Sequence, residues 1–597
     1  MQHFEINNRK IKTILADIES GKIAMPEIQR PFVWDSTKVR DLIDSIYKGF
    51  PIGYIITSEN PDIKTKSGNI TRGKTLIIDG QQRLTALRAA VLGEIIVDEH
   101  YKKKHIYIAF NPITEKFETQ TPAINNSKDW IPDISKILGD DFSTFSFVND
   151  YVGKNPTVDP DKLNQVLGKL QNTIKGHELG CIQLSHVLDV DTVAEIFVRI
   201  NSKGAQLNQA DFAMSKIASR DDKGSDLRKL IDYFAHLVRI NSDFNEIAEN
   251  DKEFADKEFF RKITWLKNET TNLYDPDYAD IMRVAFSSQY DRGKLADLVS
   301  LLSGRNFEKR TYEEEIVEDT FLRLEKGVLA VTRESNFTTF LQIIEGTGFV
   351  DSSLITSQNV LNFAYILFLV MKRGGENPGL IHKTVAKWFV MSIITGRYSS
   401  SPETAFDRDL RDIAKKGAPQ LLTEIEAAEL SDTFWDVGLL QDMDRAITAH
   451  PYMNTFFAAQ IFLGDKGFLS HAVTLRSIKT IKGDIHHIFP KDYLKKNNYD
   501  SRGDYNQIAN FAYMERTVNI QISNKAPHTY MQQVIDQCNN GPLTIGYIQD
   551  PKVLKNNLKE NCIPSGFENM TAEDYPSFLN ERRKLMVQKM KNYYQSL

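Results

Sequence analysis

KTLIIDGQQRLTALRAAVLG (residues 74–93) decides the reading of the N-terminal region. Its first residues are apolar and β-branched, which predicts a buried strand. Asp79 and Gly80 break that run, and a helix follows at once. A strand that turns at a glycine into a helix forms a phosphate-binding corner. The helix start offers unpaired backbone N–H groups and the positive end of the helix dipole, Gly80 permits close backbone approach, and Arg83 can grip phosphate oxygens in bidentate fashion. The region contains no GxxxxGK[ST] loop, so any triphosphate chemistry here is of another kind.

Working outward, PIGYIITSE (51–59) predicts a second buried strand, and STKVRDLIDSIYKGF (36–50) an amphipathic helix with Ser36 placed as its cap. A helix is expected at 10–20. HIYIAFNP (105–112) and EKFETQ (115–120) read as a hairpin, while residues 120–175 are polar and poorly periodic. Two further polar clusters, Glu27-Ile28-Gln29-Arg30-Pro31 and Phe197-Val198-Arg199-Ile200-Asn201, are expected to converge with the Gly80 corner on one pocket. Phe32 and Trp34 offer rings for a base, although aromatic residues beside a strand are more often core. Asn201 reads first as a helix-terminal residue. For Asp79 the plainer role is a helix cap.

From about residue 185 the pattern is helical, with 3.6-residue apolar spacing up to roughly 475. GGENPG (374–379) and SSSPET (399–404) read as turns between helices. Short β-like pieces return after GDIHHIFP (483–490), a helix is expected over 524–538, and a basic amphipathic helix ends the sequence.

The 597 residues imply about two to four domains. Hydrophobic, aromatic and charged fractions of 41%, 10% and 26% are those of a folded globular protein, not a disordered one. Cys181, Cys538 and Cys562 form no CxxC pair, which supports neither a disulfide framework nor a thiolate zinc site and suits the cytoplasm. The N-terminus lacks an export signal and no apolar run is long enough for a membrane span. With a net charge of −5, the chain is not a generally basic nucleic-acid coat, so any DNA contact is a local patch.

DIHHIFP (484–490), followed by Asn510 and Asn519, is the second constellation. Phosphodiester cleavage needs a base for water and a divalent cation for the charge that builds on the phosphate. In extended chain, His486 and His487 point to opposite faces and so divide that labour. With IANFAYM and TVNIQISNK, the segment resembles the HNH, or ββα-metal, nucleases. The resemblance implies His486 as a metal ligand, His487 as general base, Asn510 as the residue holding the catalytic loop, and Asn519 completing the metal site. Asn524 rivals Asn519, Asp484 is either a further ligand or a turn residue, and His528 is more readily a phosphate contact than a base. Oxygen donors with one histidine favour Mg2+ or Mn2+. Arg582, Arg583, Lys584, Lys589 and Lys591 are either DNA-backbone contacts or a solvated face.

MPEIQRPFVW (25–34), LIDSIYKGFPIG (42–53), IIDGQQRLTAL (77–87) and IFVRINSKGAQLNQADF (196–212) resemble, in order, the N-terminal domain of the GmrSD family of modification-dependent restriction enzymes, which includes BrxU and SspE proteins. That resemblance implies a ParB/sulfiredoxin-like α/β domain in which Asp79, Gly80, Gln81, Gln82 and Arg83, with Gln29 and Arg30, bind or hydrolyse a nucleoside triphosphate (GTP, UTP, CTP or ATP). Asp79 holds magnesium or orients water and Arg83 neutralises phosphate charge. The expectation is an α+β multidomain protein. Residues 1–215 form the nucleotide domain, with 120–180 a candidate insert, 216–430 a helical middle and 431–597 an HNH module. It is read as a type IV restriction endonuclease of phage defence, acting on modified double-stranded DNA, with dimerisation suggested by two-strand cutting. The alternatives are a nucleotide-regulated DNA-binding switch with an inactive nuclease module, and an unselective antiviral nuclease.

Overall fold

The computed structural model describes residues 4–597 except 25–31, 60–62, 65–69, 72–74, 99–100, 140, 186–208, 219, 221, 445–449 and 481–484. It is mixed α and β, mostly helical, with a small sheet near the N-terminus. The chain divides into two compact units, one of residues 1–268 with 296–321, the other of 269–295 with 322–597.

The first unit is built on a five-stranded sheet. Its strands are β1 (Phe4–Lys10), β2 (Ile23–Ala24), β3 (Tyr54–Glu59), β4 (Thr75–Asp79) and, beyond the hairpin of β5 (Ile108–Asn111) and β6 (Lys116–Thr119), β7 (Glu178–Leu184). Their order is β1-β7-β3-β4-β2. β7 runs antiparallel to β1 and parallel to β3; β4 runs antiparallel to β3 and parallel to β2. Both strands expected around the Gly80 corner are present and adjacent, as is the expected hairpin. Helices α1 (Ile11–Glu19), α2 (Ser36–Tyr47) and α3 (Gln81–Val91) fall where expected. The cap of α2 is Asp35, which accepts from the Lys38 N–H at 2.7 Å, and not Ser36: the residue before the first helical position is the one free to turn its oxygen onto the helix.

The polar segment 120–175 is more regular than its composition suggests. It contains α4 (Pro160–Gly176), whose Leu163, Leu167, Leu170 and Ile174 form one buried stripe packed against α1 and α2. Burying four such side chains contributes about 1.5–3 kcal/mol each. β7 follows α4 directly and enters the interior of the sheet, so this stretch supplies both a core helix and a central strand.

In the second unit, α5 (Gln358–Arg373) carries the most apolar segment of the chain and is buried on nearly every side, as a helix in the middle of a core must be. Among the described residues no helix is long and apolar enough to cross a membrane. GGENPG is the turn into α6 (Pro378–Thr395), with Asn377 accepting from the Gly379 N–H at 2.8 Å. α6 packs on α7 (Pro451–Leu463), and α7 on the C-terminal α10 (Tyr575–Ser596). Between these lie β8 (Ile485–His487), β9 (Phe511–Tyr513), α8 (Arg516–Ile522) and α9 (Pro527–Cys538).

Candidate functional site

At the corner of the first unit, β4 ends on half-buried Asp79, and Gly80 turns the chain into α3 with φ +95°. Only glycine suits this position, because a Cβ would lie 2.5 Å from Ile55 Cγ2 and the left-handed backbone disfavours any side chain. Gly80 has no side chain to cap α3, and Asp79 does not take that role, so the first-turn N–H groups face the corner with the helix dipole behind them. The β3–β4 register shifts between Ile56 and Thr57, opposite this turn, as bulges beside functional sites often do.

The next three side chains are tied to backbone. Gln81 Nε2 donates to the Ile77 carbonyl at 3.2 Å, Gln82 Oε1 accepts from the Val33 N–H at 3.1 Å, and Arg83 Nη1 donates to the Tyr54 carbonyl at 2.7 Å. The Arg83 guanidinium lies against Gly53 (φ +88°), where a Cβ would come within 3.0 Å of Nη2. Burial lowers the Arg83 pKa from its ordinary value and Asp79 pulls it back up. A partly desolvated cation beside backbone donors suits phosphate. Tyr54 and Gly53 were not singled out by sequence; the Tyr54 ring rests on Gly180, and the residue is 57% exposed. Of the two rings that were, Phe32 is buried in the core, and Trp34 packs against it with Lys38 Nζ 5.0 Å from its ring centre. Gln29, Arg30 and Asn201 lie outside the described residues.

In the second unit, β8 and β9 form a two-stranded antiparallel ribbon that pairs His486 with Ala512 and His487 with Phe511, and α8 follows. Adjacent histidines on a strand leave on opposite faces. Both are half-buried. The His487 Nε2 lies 2.9 Å from Asn506 Oδ1, and its ring is 4.7 Å from that of Phe511. Burial lowers the His487 pKa below its ordinary 6.5, Asn506 works against this, and the Lys491 charge adds to it. The imidazole is therefore neutral at neutral pH. With Nε2–H donated to Asn506, Nδ1 keeps the lone pair that a base needs.

Asn510 is fully buried. Its Oδ1 accepts from the Phe489 N–H at 2.8 Å, its Nδ2 donates to the carbonyls of Phe489 (3.2 Å) and Tyr505 (3.1 Å), and its own carbonyl accepts from the Ile488 N–H at 2.8 Å. Tyr530 on α9 donates to the Ile488 carbonyl at 2.9 Å. The two residues after His487 are thus held on both edges.

Asn519 is half-buried on α8, whereas Asn524 is exposed beyond its end and His528 is exposed in the first turn of α9. Among the described residues no three His, Cys, Asp or Glu side chains form a metal-binding group; Asp484 lies outside them. His486 offers an imidazole and Asn519 an amide oxygen, donor types that a divalent cation accepts.

Most of the C-terminal cations, expected either to contact DNA backbone or to form a solvated face, are buried or paired within their own unit. Arg582 is wholly buried, Arg583 pairs with Asp444 and Gln507, Lys589 with Asp465, and Lys591 with Asp432; Lys584 is exposed and pairs with Glu581. The helix turns its basic residues onto carboxylates and carbonyls of its own unit. Asn506 and Tyr530 were missed, and Arg582 was read as a DNA-backbone contact or part of a solvated face. A signal existed for Arg582, which falls at helical spacing between Phe578 and Met586 on the buried face of α10.

Residues 11–218, which include the Gly80 corner, match the family model of the GmrSD restriction endonuclease, N-terminal domain. The whole chain is also similar to an uncharacterized protein of Methanocaldococcus jannaschii, 22% identical over 619 aligned positions that cover 96% of each. The family match points to a restriction-endonuclease-related function.

Proposed function

We propose that the chain is a modification-dependent DNA endonuclease of phage defence, in which nucleoside triphosphate binding or hydrolysis regulates metal-dependent cleavage or nicking. The observation that carries this is the match of residues 11–218 to a restriction-endonuclease domain in a chain that also holds a neutral, oriented His487. Residues 1–215 take the nucleotide, 216–430 transmit its state and 431–597 form an HNH module that cuts. The N–H groups of Gln81, Gln82 and Arg83, with the Arg83 guanidinium, hold the phosphates; Gln29 and Arg30 assist, and Asp79 orients water or magnesium. The open face of the Tyr54 ring takes the base. His486 and Asn519 hold Mg2+ or Mn2+, which when bound neutralises charge on the phosphate and leaving oxygen. His487 takes a proton from the attacking water at Nδ1, and Asn510 keeps the backbone beside it in place.

Two variants test the assignment of the halves. His487→Ala loses DNA cleavage by about 10²–10⁴-fold with nucleotide turnover intact, and Arg83→Ala loses nucleotide turnover. Cleavage retained in the first variant, or turnover retained in the second, moves the corresponding site elsewhere in the chain.

A further inference from the structure

Arg582 lies on the inner side of α10 with none of its surface exposed. Its hydrogen bonds all go to main-chain carbonyls: Nη1 donates to Ala509 at 2.7 Å and to Phe511 at 2.8 Å, and Nε and Nη2 donate to Asn561 at 3.2 and 3.1 Å. Burial pushes its pKa down to about 10, so it remains a cation at neutral pH. A buried cation held without a counter-charge is costly, and an apolar side chain of similar volume fills such space more cheaply. The guanidinium does what no apolar group can, since one nitrogen bonds two carbonyls that flank a single residue.

That residue is Asn510, whose side chain brackets the Phe489 backbone and whose carbonyl takes the Ile488 N–H. Phe511 is the ribbon partner of His487 and sets its ring beside the imidazole. Among the described residues β9 has a strand neighbour on one side only, and a three-residue ribbon is marginal by itself. Through Ala509 and Phe511, the C-terminal helix therefore reaches the two residues that define where His487 stands.

Resting on the nuclease reading above, we infer that Arg582 is a positioning residue for His487: its grip on the Ala509 and Phe511 carbonyls sets both the Asn510 clamp and the ring wall of the imidazole. It does not touch substrate. Its loss acts on the rate of the step at His487 rather than on DNA affinity.

The test uses the full chain as Arg582→Met and Arg582→Lys, with cleavage of duplex DNA in Mg2+ followed against DNA concentration. Nucleotide turnover and the folded fraction are measured alongside. Arg582→Met is expected to lower kcat about 100-fold, the scale of a small misplacement of a reacting group, with KM for DNA and nucleotide turnover unchanged. Arg582→Lys, which keeps the charge but not the fork, is expected to lose about tenfold. Wild-type kcat in Arg582→Met, or a loss equal to its unfolded fraction, overturns the inference. Should Arg582→Met not fold, folded Arg582→Lys decides: a lowered kcat with unchanged KM supports the role and a wild-type kcat contradicts it. Failure of the nuclease reading appears separately, as a wild-type protein that does not cut.

Discussion

The Gly80 corner and the His487 ribbon hold their polar groups by opposite means. At the corner, a strand, one left-handed glycine and a helix start follow one another in the chain, and backbone geometry places the donors while Gln81 and Arg83 anchor on nearby carbonyls. At the ribbon, two three-residue strands place His487, and side chains from later in the chain, half-buried Asn506 with buried Asn510, Tyr530 and Arg582, fix it. A site made by the backbone is sensitive to an added Cβ. A site made by remote buried polar groups is sensitive to losing any one of them, because each partner is left unsatisfied.

The ribbon should break first. Asn510→Ala removes bonds to both sides of Phe489 and leaves three buried backbone groups unpaired, so cleavage should fall about 100-fold and stability by about 1–3 kcal/mol, read by nuclease assay and denaturant unfolding. Normal cutting by this variant would show that the loop after His487 does not depend on its clamp. Gly80→Ala forces a Cβ into Ile55 at a positive φ, which should cost about 1–3 kcal/mol and remove nucleotide binding, measurable by calorimetry. Unchanged binding would mean that the phosphates do not use this turn.

Smaller effects concern pH. His487 acts as a base only when neutral, so cleavage should fall as pH drops through its pKa, which lies below 6.5. Lys491→Ala removes a charge that lowers this pKa and should move the acid limb up. Asn506→Ala removes the bond that raises it and should move the limb down while lowering the rate. Both shifts are read from pH–rate profiles, and shifts of the opposite sign would contradict the orientation of His487 described above.

The same contrast governs what was legible in the sequence. β4, Gly80 and α3 are contiguous, so apolar pattern, glycine and helix start could be read together. β1 was not, because FEINNRK is an edge strand with most side chains exposed and no alternating apolar face. β7 was not either: its pairing with β1 and β3 depends on residues far away in sequence. The stripe on α4 was present at regular spacing but diluted by Asn, Gln and Lys on its other faces. At the ribbon, the two histidines and Asn510 stood out by type and order, while Asn506 and Tyr530 carry no local pattern. Arg582 was hidden by its neighbours, since a basic run suggests a solvated face until the helical phase is counted.

The central claim meets its most direct test in cleavage of matched modified phage DNA and unmodified plasmid by the wild-type chain, with Mg2+ or Mn2+, with and without each nucleoside triphosphate. The account predicts cutting that prefers the modified DNA and responds to nucleotide. Nucleotide turnover with no cutting of either DNA would contradict it and leave a nucleotide-regulated binding protein in its place.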